Sequence, residues 1–305
     1  MSALGKLVKR NCMIYFKDRS AVFFSLLSMI MVILVMIVFL GDMNVRSIVE
    51  VINEYGGDRP DPAADKANAT ELILQWTIAG IVIVNSVMVS MTLISNMIND
   101  KIKGKLTSFY TAPVSRAVIT MGYIIASVIT SFVMSVLTVV VAEGYMAVRG
   151  YDMLTAVQAL QILGIIALSV FTSSSLMFLL AVLVNTESAW SSLGTVVGTL
   201  VGFLGGIYLP VGSLPDGVVT VMKGFPVLHE SAMMRAVLMN SVTEKSFAGM
   251  PAEVTEMFNE ELGVTLTMFG KTTTSLFQVL FMIGYGIIAF IVATIMISRK
   301  GVRDR

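Results

Sequence analysis

Six stretches of the chain contain no Asp, Glu, Lys or Arg: residues 20–41, 72–99, 117–142, 153–186, 188–215 and 272–298. They are 22 to 34 residues long and dominated by aliphatic and aromatic side chains. A helix needs about 20 such residues to cross about 30 Å of hydrocarbon. Only helices or closed barrels satisfy the backbone there, and these runs are too long and continuous for barrel strands. The pattern predicts an all-α polytopic membrane protein with six transmembrane helices, at about 21–40, 76–98, 117–142, 160–184, 190–209 and 274–297. The first run is not a cleaved signal. Its core exceeds a signal-peptide h-region, and Gly41-Asp42-Met43-Asn44 is a poor cleavage site.

Composition agrees. The 305 residues are 56% hydrophobic and 13% charged, with a mean hydropathy of +0.84, against about a quarter charged in a soluble domain. The position of the charges sets the orientation. With the N-terminus inside, the segments 1–19, 99–116, 185–189 and 298–305 carry 13 of the 21 basic residues and 4 of the 20 acids. That asymmetry places both termini in the cytoplasm. Three domains are expected: a cytoplasmic amphipathic helix at 1–19, one transmembrane domain at 20–298, and a basic tail at 299–305. The first of these shows helical spacing of Leu4, Leu7, Val8, Cys12, Tyr15 and Phe16.

The outside segments differ. Residues 41–72 hold Gly-Gly-Asp-Arg-Pro-Asp-Pro and read as loop. Residues 210–273 start apolar, which suits either a re-entrant segment buried by protein or helices lying on the outer surface; Glu244–Gly263 reads as a solvated cap. Helix five carries Gly194, Gly198 and Gly202 at four-residue spacing, for close packing within the subunit, a dimer seam or a pathway. Helix two carries Asn85, Thr92 and Asn96, which suit interhelical hydrogen bonds or a pathway lining.

Catalytic chemistry is excluded by what is missing. One Cys and one His (Cys12 and His229) rule out multi-Cys and two-His metal sites. His229-Glu230 is followed by Met233 where a second zinc-binding His would stand. No Gly-x-x-x-x-Gly-Lys-Ser/Thr loop or Gly-x-Ser-x-Gly elbow occurs. Charges are absent from the predicted spans, which argues against a proton-coupled carrier. Nothing points to nucleic acid.

The loop 99–116, Asn-Asp-Lys-Ile-Lys-Gly-Lys-Leu-Thr-Ser-Phe-Tyr-Thr-Ala-Pro-Val-Ser-Arg, has a pattern of its own. Ile102, Leu106, Phe109 and Tyr110 share one face of a short surface helix over 99–110, and Pro113 ends it. Taken alone, this fits an interfacial loop whose lysines meet lipid headgroups. From Gly104 to Pro113 and Arg116 it also resembles the first cytoplasmic loop of type-2 ABC exporter permeases, with Asp100 at the family's acidic position. Lys105, Thr107 and Ala112 depart from that family's Thr, Glu and Thr. A second stretch is similar to the family's segment after the fifth helix: Gly206, Pro210, Pro215, Pro226 and Arg235 keep its order and spacing.

The resemblance implies a dimer of six-helix permeases, formed by two copies or with a paralogue. Each would dock a separate ATP-binding subunit that holds ATP and Mg, while this chain carries no cofactor. It further implies that 1–19 is a connecting helix and 99–116 a coupling helix. Asp100, Lys101, Lys103, Gly104, Leu106, Phe109, Pro113 and Arg116 would meet the ATPase. The rival readings are a nucleotide-independent channel or secondary carrier, and a membrane immunity or scaffold protein.

Overall fold

The computed structural model describes residues 2–35, 41–57, 61–105, 109 and 114–303. Twelve α-helices account for most of them. In chain order they are α1 (Ala3–Lys17), α2 (Arg19–Val35), α3 (Gly41–Tyr55), α4 (Pro62–Ile102), α5 (Arg116–Val148), α6 (Ala156–Leu183), α7 (Glu187–Leu204), α8 (Asp216–Lys223), α9 (Pro226–Leu238), α10 (Asn240–Ser246), α11 (Ala252–Glu261) and α12 (Ser275–Arg303). A two-stranded hairpin pairs Thr267–Met268 with Lys271–Thr272. Its turn places Phe269 and Gly270 at positive φ, as a two-residue hairpin turn requires.

Among the described residues, four helices are long and apolar enough to cross a membrane, over 62–102, 117–148, 156–183 and 275–297. The first predicted span coincides with α2, and its last residues, 36–40, lie outside the described residues. The fifth, expected at 190–209, overlaps α7, which is 18 residues long and ends at Leu204, leaving 205–209 in the turn beyond it.

α4 is the centre of the molecule. It packs against α5, α6, α7, α9 and α3, and 83% of its most apolar window is buried. The seam between α4, α5 and α6 is hydroxyl-rich. Ser86, Ser90, Ser127, Ser131, Ser169 and Ser174 are all buried, among Val82, Ile83, Val87, Met91, Val170 and Met177. Small hydroxyl side chains let these helices approach closely and bond across the gap.

Three expectations are corrected. Residues 41–72 are not loop throughout. Asp61 caps α4 by accepting from the amides of Ala63 and Ala64, and Pro62 takes the first-turn position. α4 therefore starts well before the apolar run. α3 lays Val45, Ile48 and Ile52 against Leu72, Ile73 and Trp76. The cap over 244–263 is not merely solvated, because Phe247, Val254, Phe258 and Leu262 join the same cluster. Finally, 99–110 is not one surface helix. α4 continues to Ile102, and Gly104 then takes φ +70, the left-handed conformation that ends helices. Lys105 and Phe109 are helical beyond the break.

Of the apolar stretch that opens 210–273, α8 stays half-exposed, with Val218 and Val221 open. In α9, ten of 13 residues are buried, and the helix packs on α4, α6 and α12.

Candidate functional site

Two polar assemblies sit at opposite ends of α4. At its C-terminal end, Asp100 is the hub. Its side chain is 6% exposed. Arg10 of α1 reaches it at 2.8 and 3.0 Å, through one guanidinium nitrogen against the two carboxylate oxygens. The Tyr123 hydroxyl of α5 donates to it at 2.7 Å, and Lys105 lies 3.8 Å away. The Arg10 guanidinium also stacks 5.3 Å from the centre of the Phe109 ring and donates to Asn11 Oδ1. Asn11 in turn donates to the Gly122 carbonyl of α5. Next to Asp100, Lys101 donates to Asn185 in the turn between α6 and α7. One buried carboxylate thus gathers α1, α4, α5 and Lys105 just beyond the Gly104 break.

The predicted loop residues divide accordingly. Asp100 and Phe109 are brought together through Arg10, Lys101 reaches Asn185, and Gly104 makes the break after α4. Lys103 caps α4 through its backbone. Arg116 opens α5, whose first turn is capped by the Ser115 hydroxyl accepting from the Val118 amide. Leu106 and Pro113 lie outside the described residues. Phe109 does not simply face outward; it is half-buried under Arg10. On α1, Leu7 lies against Gly122 and Tyr15 is buried, as the predicted face requires, whereas Phe16 is exposed and Asn11 takes its place inside.

The other assembly gathers the second motif. Arg235 is fully buried, with no carboxylate partner among the described residues. Its guanidinium donates to the carbonyls of Gly205 and Gly206 at 2.9 and 2.8 Å, and at 3.5 Å to that of Gly263. Those first two carbonyls terminate α7, where the helix dipole favours a cation. Trp76 of α4 lies beneath the guanidinium, 4.9 Å from its ring centre, and donates its indole N–H to the Leu262 carbonyl. Gly206 adopts φ +62, and a Cβ there would meet Val211 at 2.7 Å. Pro210 and Pro215 flank a short 3-10 turn, Val211–Ser213, and Pro226 starts α9.

Glu230 of α9 is also fully buried. Its Oε2 is hydrogen-bonded to the Ser169 hydroxyl of α6 at 2.8 Å, and its Oε1 has no partner. At the rim, by contrast, Lys245 pairs with Asp152. Both are exposed, and the hydrogen bond to the carboxylate holds the ammonium above its usual range.

The glycines of α7 meet side chains of the same chain. A Cβ on Gly194 or Gly198 would lie 3.2 or 3.3 Å from the methyl ends of Met91 or Met88, and on Gly202 it would lie 2.3 Å from the Tyr208 ring. Asn85 donates to Thr138 at 2.8 Å across the α4–α5 seam. Thr92 bonds its own helix, at the carbonyl of Met88, and Asn96 is half-buried on α4. Asn85 and Thr92 line a cavity of about 330 Å³ between α2, α4 and the Ile207–Tyr208 turn, together with Phe24, Ser25, Ile81 and Met88.

Arg10, Tyr123, Trp76 and Glu230 were not among the predicted site residues. Arg10 and Tyr123 sit on amphipathic or apolar stretches with no spacing signal toward Asp100. Only the lone charge of Glu230 in the mostly apolar run 224–234 hinted at its role.

No curated protein matches the chain. The sequence does match the ABC-2 type transporter family, over residues 2–242, from α1 into α10. That range includes both the Asp100 hub and Arg235, and at this coverage it identifies the chain as a member of the ABC-2 type transporter family.

Proposed function

We propose that this chain is the permease of an ATP-driven exporter, worked by a separate ATP-binding subunit seated against the 99–116 loop. The observation that carries the reading is the Asp100 hub. A displacement of Lys105 or Phe109 acts on Arg10 and Asp100, and through them on α1, α4 and α5 at once. A channel or secondary carrier has no need of such a joint on one cytoplasmic loop. The ATP and Mg belong to the partner subunit, and this chain supplies no catalytic group.

The wider assignment follows the same lines. Six spans (the stretch 21–40 that includes most of α2, then α4, α5, α6, α7 and α12) place 1–19, 99–116, 185–189 and the C-terminus on the cytoplasmic side of a cell membrane. The contacts of Arg10 with Asp100 and of Lys101 with Asn185 support a common side for the first three. α9 is the re-entrant element. Its Glu230 bonds Ser169, which lies near the middle of the apolar run of α6. Burial by protein on nearly all sides is what allows polar backbone and side chains at that depth. The cavity beside Asn85 and Thr92 favours an amphipathic substrate, since its lining is apolar except for hydroxyl and amide groups. The exposed apolar face of α2, with Phe23, Phe24 and Leu34, suits lipid or a second permease.

The test is co-purification with the ATP-binding subunit, followed by substrate-stimulated ATP hydrolysis in lipid. Asp100→Ala is expected to retain the partner and lose most of the stimulation. Full stimulation in that variant would remove the joint from the mechanism. Failure of the wild-type chain to retain any ATP-binding subunit would remove the ATP-driven reading.

A further inference from the structure

We propose that Glu230 is a proton-binding site, loaded at neutral pH, that holds α9 onto the core of the membrane domain. The argument is a count of hydrogens. A serine hydroxyl has one proton to donate. Ser86 Oγ lies 2.7 Å from the carbonyl oxygen of Ile83, which only accepts, so the Ser86 proton is used there. Ser86 Oγ is also 2.8 Å from Ser169 Oγ. That contact therefore takes the proton of Ser169. Ser169 Oγ is in turn 2.8 Å from Glu230 Oε2. With its own proton already committed, Ser169 can only accept, and the donor is the carboxylic acid O–H of Glu230.

The surroundings agree. Glu230 is 1% exposed, and a buried carboxylate without a cation is strongly disfavoured. Among the described residues no cation pairs with it. On its own helix, Arg235 is bound to the Gly205 and Gly206 carbonyls, and His229 donates from Nε2 to the Lys223 carbonyl with its ring against Phe281. From α4 and α6 come the hydroxyls of Ser86 and Ser169. The nearest acid outward along α4, Glu71, bonds Gln75 and lies 15 residues, about 22 Å, from Ser86. α12 brings Tyr285, in ring contact with Phe281. On α10, Lys245 is paired with Asp152, and on α8 the charges are Asp216 and Lys223.

The consequence is a proton-linked contact. Parting α9 from α6 lets water reach the carboxyl; the proton leaves Oε2 for solvent, and Ser169 loses its donor. Re-forming the contact takes a proton up. Acid therefore favours the closed arrangement, and rising pH weakens it. The protonated carboxyl stands without the ATP-driven reading.

The experiment is infrared spectroscopy of the purified chain in lipid at neutral pH, comparing wild type with Glu230→Gln and Ser169→Ala. Gln keeps a donor toward Ser169 without titrating. The expected result is a protonated-carboxyl C=O band that is lost in Glu230→Gln and moved to higher frequency in Ser169→Ala. A wild-type spectrum lacking a band that depends on Glu230 would overturn the proposal. If Glu230→Gln does not fold, an unmoved band in Ser169→Ala overturns it equally. Thermal unfolding gives the second arm. Wild type is expected to lose stability as pH rises, and Glu230→Gln to lose less. Equal pH profiles, or a profile set by sodium concentration instead of pH, would rule out a proton as the ligand.

Discussion

The two ends of α4 handle charge in opposite ways. At Asp100 the charges are paired with each other: carboxylate with guanidinium, phenol and ammonium, and Arg10 is still 29% exposed. At the other end two ionisable groups are fully buried and not paired. Arg235 is held by carbonyls and a Trp ring, and Glu230 by a hydroxyl. Directional bonds to fixed backbone carbonyls make a rigid lock, because the partners cannot rearrange. The Asp100 pair keeps its guanidinium partly open to water, so its partners exchange more readily than those of a fully buried lock. The first arrangement fastens the 205–263 segment to the bundle; the second can be moved by something that binds Lys105 or Phe109.

Removing Arg235 should have the largest effect. Arg235→Met leaves the Gly205 and Gly206 carbonyls buried without donors, and each charged hydrogen bond is worth about 1.5–3 kcal/mol. A loss of about 3–5 kcal/mol is expected in equilibrium unfolding in detergent. Arg235→Lys should recover only part of it, since an ammonium lacks the planar fork that reaches two carbonyls and stacks on Trp76. A loss below about 1 kcal/mol would show that the lock is not where the stability lies.

Asp100→Ala comes next. It leaves Arg10 and Tyr123 facing one another without the carboxylate, at about 1–3 kcal/mol for the unsatisfied buried donor. A double-mutant cycle with Arg10→Ala should show the two residues coupled. Additive effects would contradict a single joint.

Gly202→Ala should cost about 1–3 kcal/mol through overpacking against Tyr208, and Tyr208→Ala should relieve it. Gly198→Ala should cost less, because only the flexible methyl end of Met88 must move. If neither responds while dimerisation falls, that face belongs to an interface between subunits.

The smallest effects belong to the rim. Lys105→Ala and Lys245→Ala each remove an exposed partner, worth under about 1 kcal/mol and weakened further by salt. A large salt-resistant loss in Lys105→Ala would mean that the Asp100 hub is less open than its exposure indicates.

The apolar runs were legible because a membrane demands them. Length and absence of charge located α2, α4, α5, α6, α7 and α12 to within a few residues over most of their length. The early start of α4 was missed, since residues 62–71 carry the polar composition of a loop, and only the Asp61-Pro62 cap marks a helix. The glycine spacing of α7 announced a close approach, but not to what. Met88, Met91 and Tyr208 are remote in sequence and carry no matching signal.

By itself, the sequence located the long apolar helices and the two motif stretches, because these depend on local composition and on the bilayer as solvent. Only the tertiary structure decided that α9 is packed inside the bundle, that Arg10 and Tyr123 converge on Asp100, and that Glu230 meets a serine whose proton is already used. The reason is physical. A charge is unremarkable in the sequence until packing removes its water, and the partner that then satisfies it lies far along the chain, 61 residues away for Glu230 and 90 for Asp100.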